Sequence, residues 1–111
     1  KNMARLRNLP TNQVSNFASL IDVKDQQVIS MSLTDSDNVD MVMLSFGAGE
    51  GVSEEVYQGD TMYLILDGEV TIRKEEQDYH LCEGDTIMVE ADIPHEIFGK
   101  NAYKIVQITV H

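Results

Sequence analysis

Tyr63-Leu64-Ile65-Leu66-Asp67-Gly68-Glu69-Val70 is the stretch that decides the fold. Two apolar runs meet at an Asp-Gly pair, and glycine takes the positive φ that a two-residue hairpin turn demands. Residues 61–66 and 69–74 are therefore predicted to be paired strands. Downstream, Glu75-Glu76-Gln77-Asp78 turns into a strand at 79–82, and Glu83-Gly84-Asp85 turns into another at 86–89. Pro94 sets up 95–98, and 103–110 closes the chain. Upstream, Val28-Ile29-Ser30-Met31-Ser32-Leu33 reads as a strand, followed by a polar turn at 34–38. In the next strand, 39–46, alternation places Met41, Met43 and Ser45 on one face and Val42, Leu44 and Phe46 on the other. Gly47-Ala48-Gly49-Glu50-Gly51 is a flexible turn. Many short strands separated by turn residues indicate an all-β sandwich or barrel.

Residues 1–27 read differently. Lys1, Arg5 and Arg7 mark an extended arm, and Leu9-Pro10-Thr11 offers a helix start with Thr11 as N-cap. Val14, Phe17, Leu20 and Ile21 recur at three- and four-residue spacing, which predicts a short amphipathic helix packed on the body. The division expected is an arm with a short N-terminal helix at 1–27 and a β-barrel at 28–111.

With 111 residues, 42% hydrophobic and 24% charged, the composition suits one globular domain. A formal net charge of −11 argues against nucleic acid as a partner, because phosphate binding needs clustered Lys and Arg. No basic residue lies between Asp25 and Ile72, while nine acidic ones from Asp35 to Glu69 do. A solvated acidic surface is the first reading, and a cationic ligand or a metal the second. Cys82 has no partner for an internal disulfide, and its acidic neighbours raise rather than lower a thiol pKa. No apolar run reaches membrane-spanning length and no signal-peptide plan opens the chain, so a cytoplasmic protein with no membrane partner is expected.

The hairpin, together with Gly84-Asp85-Thr86-Ile87-Met88-Val89 and Ile93-Pro94-His95, resembles the two sequence motifs of the cupin superfamily. The resemblance spans about residues 28 to 110 and implies an antiparallel jelly-roll barrel. It also implies where a metal site would stand, and there this chain departs from the pattern. Counting back from Gly68 places Thr61 at the family's Glu ligand. The His-x-His pair falls on Glu55 and Tyr57, or on Glu54 and Val56 if the spacer is one longer. Glu90, Asp92 and Gly99 fill the Pro, Gly and Asn positions of the second motif, and His95 alone stands where a family ligand stands.

Typical cupin sites suit Fe, Mn, Zn or Ni through several imidazoles and one carboxylate. His95 with Glu55 is a reduced set for any divalent metal, since ligand number sets affinity. The preferred reading makes His95 a pocket-wall histidine bonded to Glu55 or to backbone. By the family pattern Thr61, Tyr63 and Ile65 share the inner face, with Met41 and Met43 on one face of their own strand. The expected ligand-binding set is Tyr57, Tyr63, Met41, Met43, Ile65 and His95, the tyrosines orienting a polar ligand through their hydroxyls. His80 is expected on the surface and His111 to fray. No phosphate loop, nucleophile elbow or cysteine–histidine zinc spacing occurs.

Two functions are compatible with these residues. One is a module binding a small molecule in the barrel; the other is a metal-assisted enzyme of dioxygenase, isomerase or decarboxylase type around His95 and Glu55. Resemblance to single-domain cupins, and an open sheet edge that invites pairing, imply a homodimer.

Overall fold

The computed structural model describes residues 4–111. Among these residues eleven strands form: β1 (Arg5–Leu6), β2 (Val28–Ser32), β3 (Thr34–Asp35), β4 (Val39–Phe46), β5 (Gly51–Glu55), β6 (Asp60–Asp67), β7 (Glu69–Lys74), β8 (Gln77–Cys82), β9 (Thr86–Val89), β10 (His95–Phe98) and β11 (Tyr103–Val110). Pairing is antiparallel throughout. A five-stranded sheet runs β2-β4-β11-β6-β9, a four-stranded sheet runs β5-β10-β7-β8, and β1 pairs with β3. Among the described residues the strands make separate sheets rather than one closed ring.

The Asp67-Gly68 turn forms as the sequence predicts, with Gly68 at φ +81°. A Cβ there would lie 2.6 Å from the Ala102 carbonyl oxygen, so both conformation and space call for glycine. Period-2 alternation then sorts each strand of the five-stranded sheet between two faces. Leu44, Ile105 and Ile65 form one inward row; Val42, Gln107 and Tyr63 form the next; Asp40, Thr109 and Thr61 form the third. Between the sheets these rows meet Val70, Ile72, Leu81 and Ile97, and Phe46 stacks on Tyr103 at 4.4 Å between ring centroids.

The outer face of the same sheet is also apolar. Met31, Met43, Val106 and Leu64 make one row across it, and Met41, Ile108, Met62 and Met88 make another. Leu9, Leu20 and Ile21 pack against part of this surface, and Lys104 Nζ donates to the Ala18 carbonyl at 2.7 Å.

The expected N-terminal helix does not form. Only Phe17–Leu20 coils, as a single 3-10 turn, with no side-chain cap and with Val14 fully exposed. An isolated segment this short gains too few backbone bonds to repay nucleation, so Leu20 and Ile21 dock in mostly extended chain instead. β5 was not foreseen as a strand. No helix among the described residues is long and apolar enough to cross a membrane.

Candidate functional site

β5 holds the feature that builds the site. His95 pairs with Glu55 and Ile97 with Val52, so two steps along β10 answer three along β5. The surplus is a bulge at Ser53-Glu54, where Glu54 sits at φ +42°. In a regular strand, residues 52 and 55 point to opposite faces. The bulge turns both inward: Val52 packs on the core, and Glu55 stands opposite His95 on the neighbouring strand.

His95 is only 4% exposed, and both ring nitrogens are engaged. Nδ1 lies 2.9 Å from the Ile93 carbonyl oxygen, which can only accept, so Nδ1 carries the proton. Nε2 of the neutral ring then accepts from the Tyr63 hydroxyl at 2.7 Å. This bond ties the four-stranded sheet to the five-stranded one. Tyr63 and Tyr57 approach the imidazole from two sides, at 5.6 and 6.0 Å between centroids.

Glu55 Oε2 is buried without a hydrogen-bond partner. Its carboxylate nevertheless stands close enough to both phenols to oppose their ionisation. Burial first, then Glu55, pushes Tyr57 up to about 12, while Gln107 works the other way. Tyr63 is raised further still, again chiefly by burial. Both phenols thus stay protonated at neutral pH, Tyr63 with its hydrogen bond given to His95 and Tyr57 as the donor facing Glu55.

Beside this cluster lies a cavity of about 320 Å³ between the sheets. Val42, Leu44, Phe46, Val52 and Ile97 give it apolar walls, and Asp40, Glu55, Tyr57, Gln107 and Thr109 bring polar groups to it. Thr109 bonds Thr61 at 2.9 Å, which keeps Thr61, at the family's Glu position, occupied within the wall. His111 lines the cavity, with Nε2 2.9 Å from Asp40 and its backbone N–H bonded to the Asn38 carbonyl. A larger depression of about 710 Å³ lies at Thr71, His80, Cys82 and Phe98. His80 is exposed there as expected and takes Thr71 as partner, while Cys82 is bonded to Asp85, which raises its thiol pKa.

Of the residues expected to bind ligand, Tyr57 lines the cavity while Tyr63 and His95 form the adjoining polar bridge. Ile65 points inward but is sealed in the core. Met41 and Met43 belong to the opposite face of β4 and pack in the outer cluster, because the even-numbered residues of that strand are the inward ones. Sequence reasoning passed over Asp40, Gln107 and Thr109 as site residues and set His111 aside as a fraying end. Gln107 and Thr109 had a signal: they are polar residues at alternate positions of an otherwise apolar strand, on the face shared with Tyr103 and Ile105.

The donor set does not fit a tightly held transition metal. His95 and Glu55 are adjacent, but Nε2 already holds the Tyr63 hydroxyl, and a metal bond would have to displace it. No group of three or more His, Cys, Asp or Glu among the described residues is arranged to hold an ion.

A cupin superfamily protein from Desulfitobacterium hafniense superposes on this chain with a TM-score of 0.94. The two are 47% identical, and the match covers 96% of this chain and 97% of that one. The chain belongs to the cupin superfamily. Two further cupin-fold neighbours, each 24% identical, show the fold alone. One is a conserved protein from Streptococcus pyogenes, with a TM-score of 0.91 over 99% of this chain and 96% of that one. The other is a cupin 2 conserved barrel domain protein from Leptotrichia buccalis, with 0.84 over 87% and 47%. No protein-family model matches the sequence. Among curated proteins, the HTH-type transcriptional regulator PuuR of Escherichia coli is 30% identical over 94 residues, 80% of this chain. The cupin chain spans 50% of that regulator's length.

Proposed function

We propose that this cupin is a binding module for a small molecule, held in the cavity between its sheets, and that its task is sensing rather than catalysis. The cavity carries the reading: apolar walls on both sheets, with Glu55, Tyr57 and Gln107 converging on one space. Ligand sites have this make-up, a mostly apolar concavity with a few placed polar groups. Likeness to about half of a transcriptional regulator supports a regulatory setting. In such a setting this chain, at −11 formal charge, is suited to the ligand and not to DNA.

A metal-assisted enzyme built on the opposed His95 and Glu55 is the alternative. Elemental analysis after Fe, Mn, Zn and Ni have each been offered separates the two, since a stoichiometric metal removed by His95→Ala favours the enzyme.

The module is proposed to act as a homodimer. Met62 and Met88 are paired across β6 and β9 and stay 38% and 51% exposed, so the outer apolar face is left partly uncovered. A second copy covers such a face by two-fold symmetry.

The direct test is a ligand-detected NMR screen of small polar-headed compounds against the native protein and Val52→Phe, which fills the cavity from β5. Binders lost in Val52→Phe support the module. A screen without binders, or one whose hits are indifferent to Val52→Phe, contradicts it.

A further inference from the structure

The geometry points to a positively charged ligand: a small monocation, such as a primary ammonium on a short apolar chain, with its charge on Glu55. This rests on the cavity being the binding site and goes on to name the class of molecule it takes.

Three observations carry it. Glu55 Oε2 is buried beside the cavity with no hydrogen-bond partner, an arrangement that costs free energy until a donor arrives. Among the described residues no lysine or arginine lines the cavity, and the histidine that does, His111, is turned to Asp40 rather than to Glu55. The second carboxylate in the wall, Asp40, is already paired with His111 at 2.9 Å. Glu55 Oε2 is thus the unpartnered buried side-chain oxygen among the described residues, and one open acceptor matches one ammonium.

The rest of the wall suits the remainder of such a molecule. The Tyr57 ring stands beside Glu55, where an aromatic face attracts a cation. Phe46 and Leu44 offer an apolar wall to a hydrocarbon chain, and about 320 Å³ is at the low end of ligand pockets, roughly 300–1,000 Å³. An anionic ligand would meet Glu55 with no cation to offset it. A neutral one would leave the buried carboxylate without a counter-charge.

Burial of this carboxylate follows from the β5 bulge, which turns Glu55 inward at the cost of a left-handed Glu54. A strained backbone that leaves a buried carboxylate oxygen without a donor costs stability, and a bound cation gives it a use.

The test is a titration of the native chain with n-butylammonium, n-butanol and butyrate, three probes of similar size and different charge, followed by amide chemical shifts. Butylammonium is expected to move the amides of Glu55, Tyr57 and Gln107 and to bind about tenfold or more tightly than the other two, the scale of a charge-assisted contact. Glu55→Gln is expected to abolish that preference, bringing butylammonium down to the level of butanol measured on the same variant. Equal or tighter binding of butyrate or butanol overturns the cation, as does an unaltered preference in Glu55→Gln, and in either case the cavity stands as a binding site. If no probe moves the cavity amides of the folded protein, the binding-module reading falls with it. Should Glu55→Gln lose the native spectrum, the order of the three probes on the unmodified chain decides the same question.

Discussion

The Tyr63 hydroxyl and His95 Nε2, 2.7 Å apart, join the two sheets of the sandwich through one buried hydrogen bond. The Ile93 carbonyl fixes which nitrogen of His95 is protonated, and Tyr63 takes the other. The histidine at the one surviving ligand position of the motif is thereby a structural bridge at the edge of the cavity.

Tyr63→Phe should therefore cost about 1–3 kcal/mol, because it strands Nε2 in a buried site with no donor. Denaturant unfolding measures the loss, and the NMR tautomer signature of His95 should lose its definition. A change within ±0.5 kcal/mol would mean that the bond contributes little in solution.

The bulge at Glu54 makes a second prediction. Glu54→Gly relieves the strain at φ +42° and should be tolerated, within about 1 kcal/mol of the native protein in either direction, since glycine also gains entropy in the unfolded chain. Glu54→Val places a β-branched residue in the left-handed region and should cost about 1–3 kcal/mol. Equal urea midpoints for the two variants would argue against the bulge.

Gly51 lies three residues before the bulge, and a Cβ there would come 2.3 Å from the Ile97 carbonyl oxygen. Gly51→Ala must push β5 off β10, so faster hydrogen exchange is expected at the amides that pair these strands, with the five-stranded sheet protected as before. Unchanged exchange in β5 and β10 would contradict the close approach.

Alkaline pH tests the phenols. Tyr57 has its folded pKa raised to about 12 against an ordinary 10. Between those values the unfolded chain loses its proton while the folded one keeps it, so folding binds more protons and stability falls as pH rises. Full stability belongs below pH 10, and the loss should run from 10 to 12. Tyr57→Phe should make that decline shallower without removing it, because Tyr63 and Tyr103 are raised by burial as well, as read from unfolding midpoints across this range.

Sedimentation tests assembly. The native chain should run as a dimer at micromolar concentration, and Met62→Lys with Met88→Lys should shift it to monomer while the circular dichroism spectrum is kept. A native monomer contradicts the proposed interface.

Much of the fold was legible because its signals are local. Asp67-Gly68 specifies its own turn, and strands 39–46, 69–74, 86–89, 95–98 and 103–110 show their period or their turn residues within a few positions. The site was less legible. Glu54 adopts a left-handed conformation that its side chain does not advertise, so the bulge leaves no local signal. Only the register against His95 shows that Glu55 is turned inward. Met41 and Met43 were placed on a common face correctly, but alternation alone does not say which face is inside. That depends on β4 pairing with β2 and β11. The helix expected before β2 failed for a related reason: Val14, Phe17, Leu20 and Ile21 have helical spacing, but Ile21 gains more by docking on the outer sheet face than the segment gains by coiling.

One structure tests the central claim most directly: a high-resolution crystal structure of the protein purified from its own cells, with no ligand added. The account predicts organic density between the sheets, with a nitrogen within hydrogen-bond distance of Glu55 Oε2, a chain against Leu44 and Phe46, and the Tyr63–His95 bond intact. A metal ion on His95 and Glu55 with Tyr63 displaced, or a cavity closed by its own side chains, would contradict it.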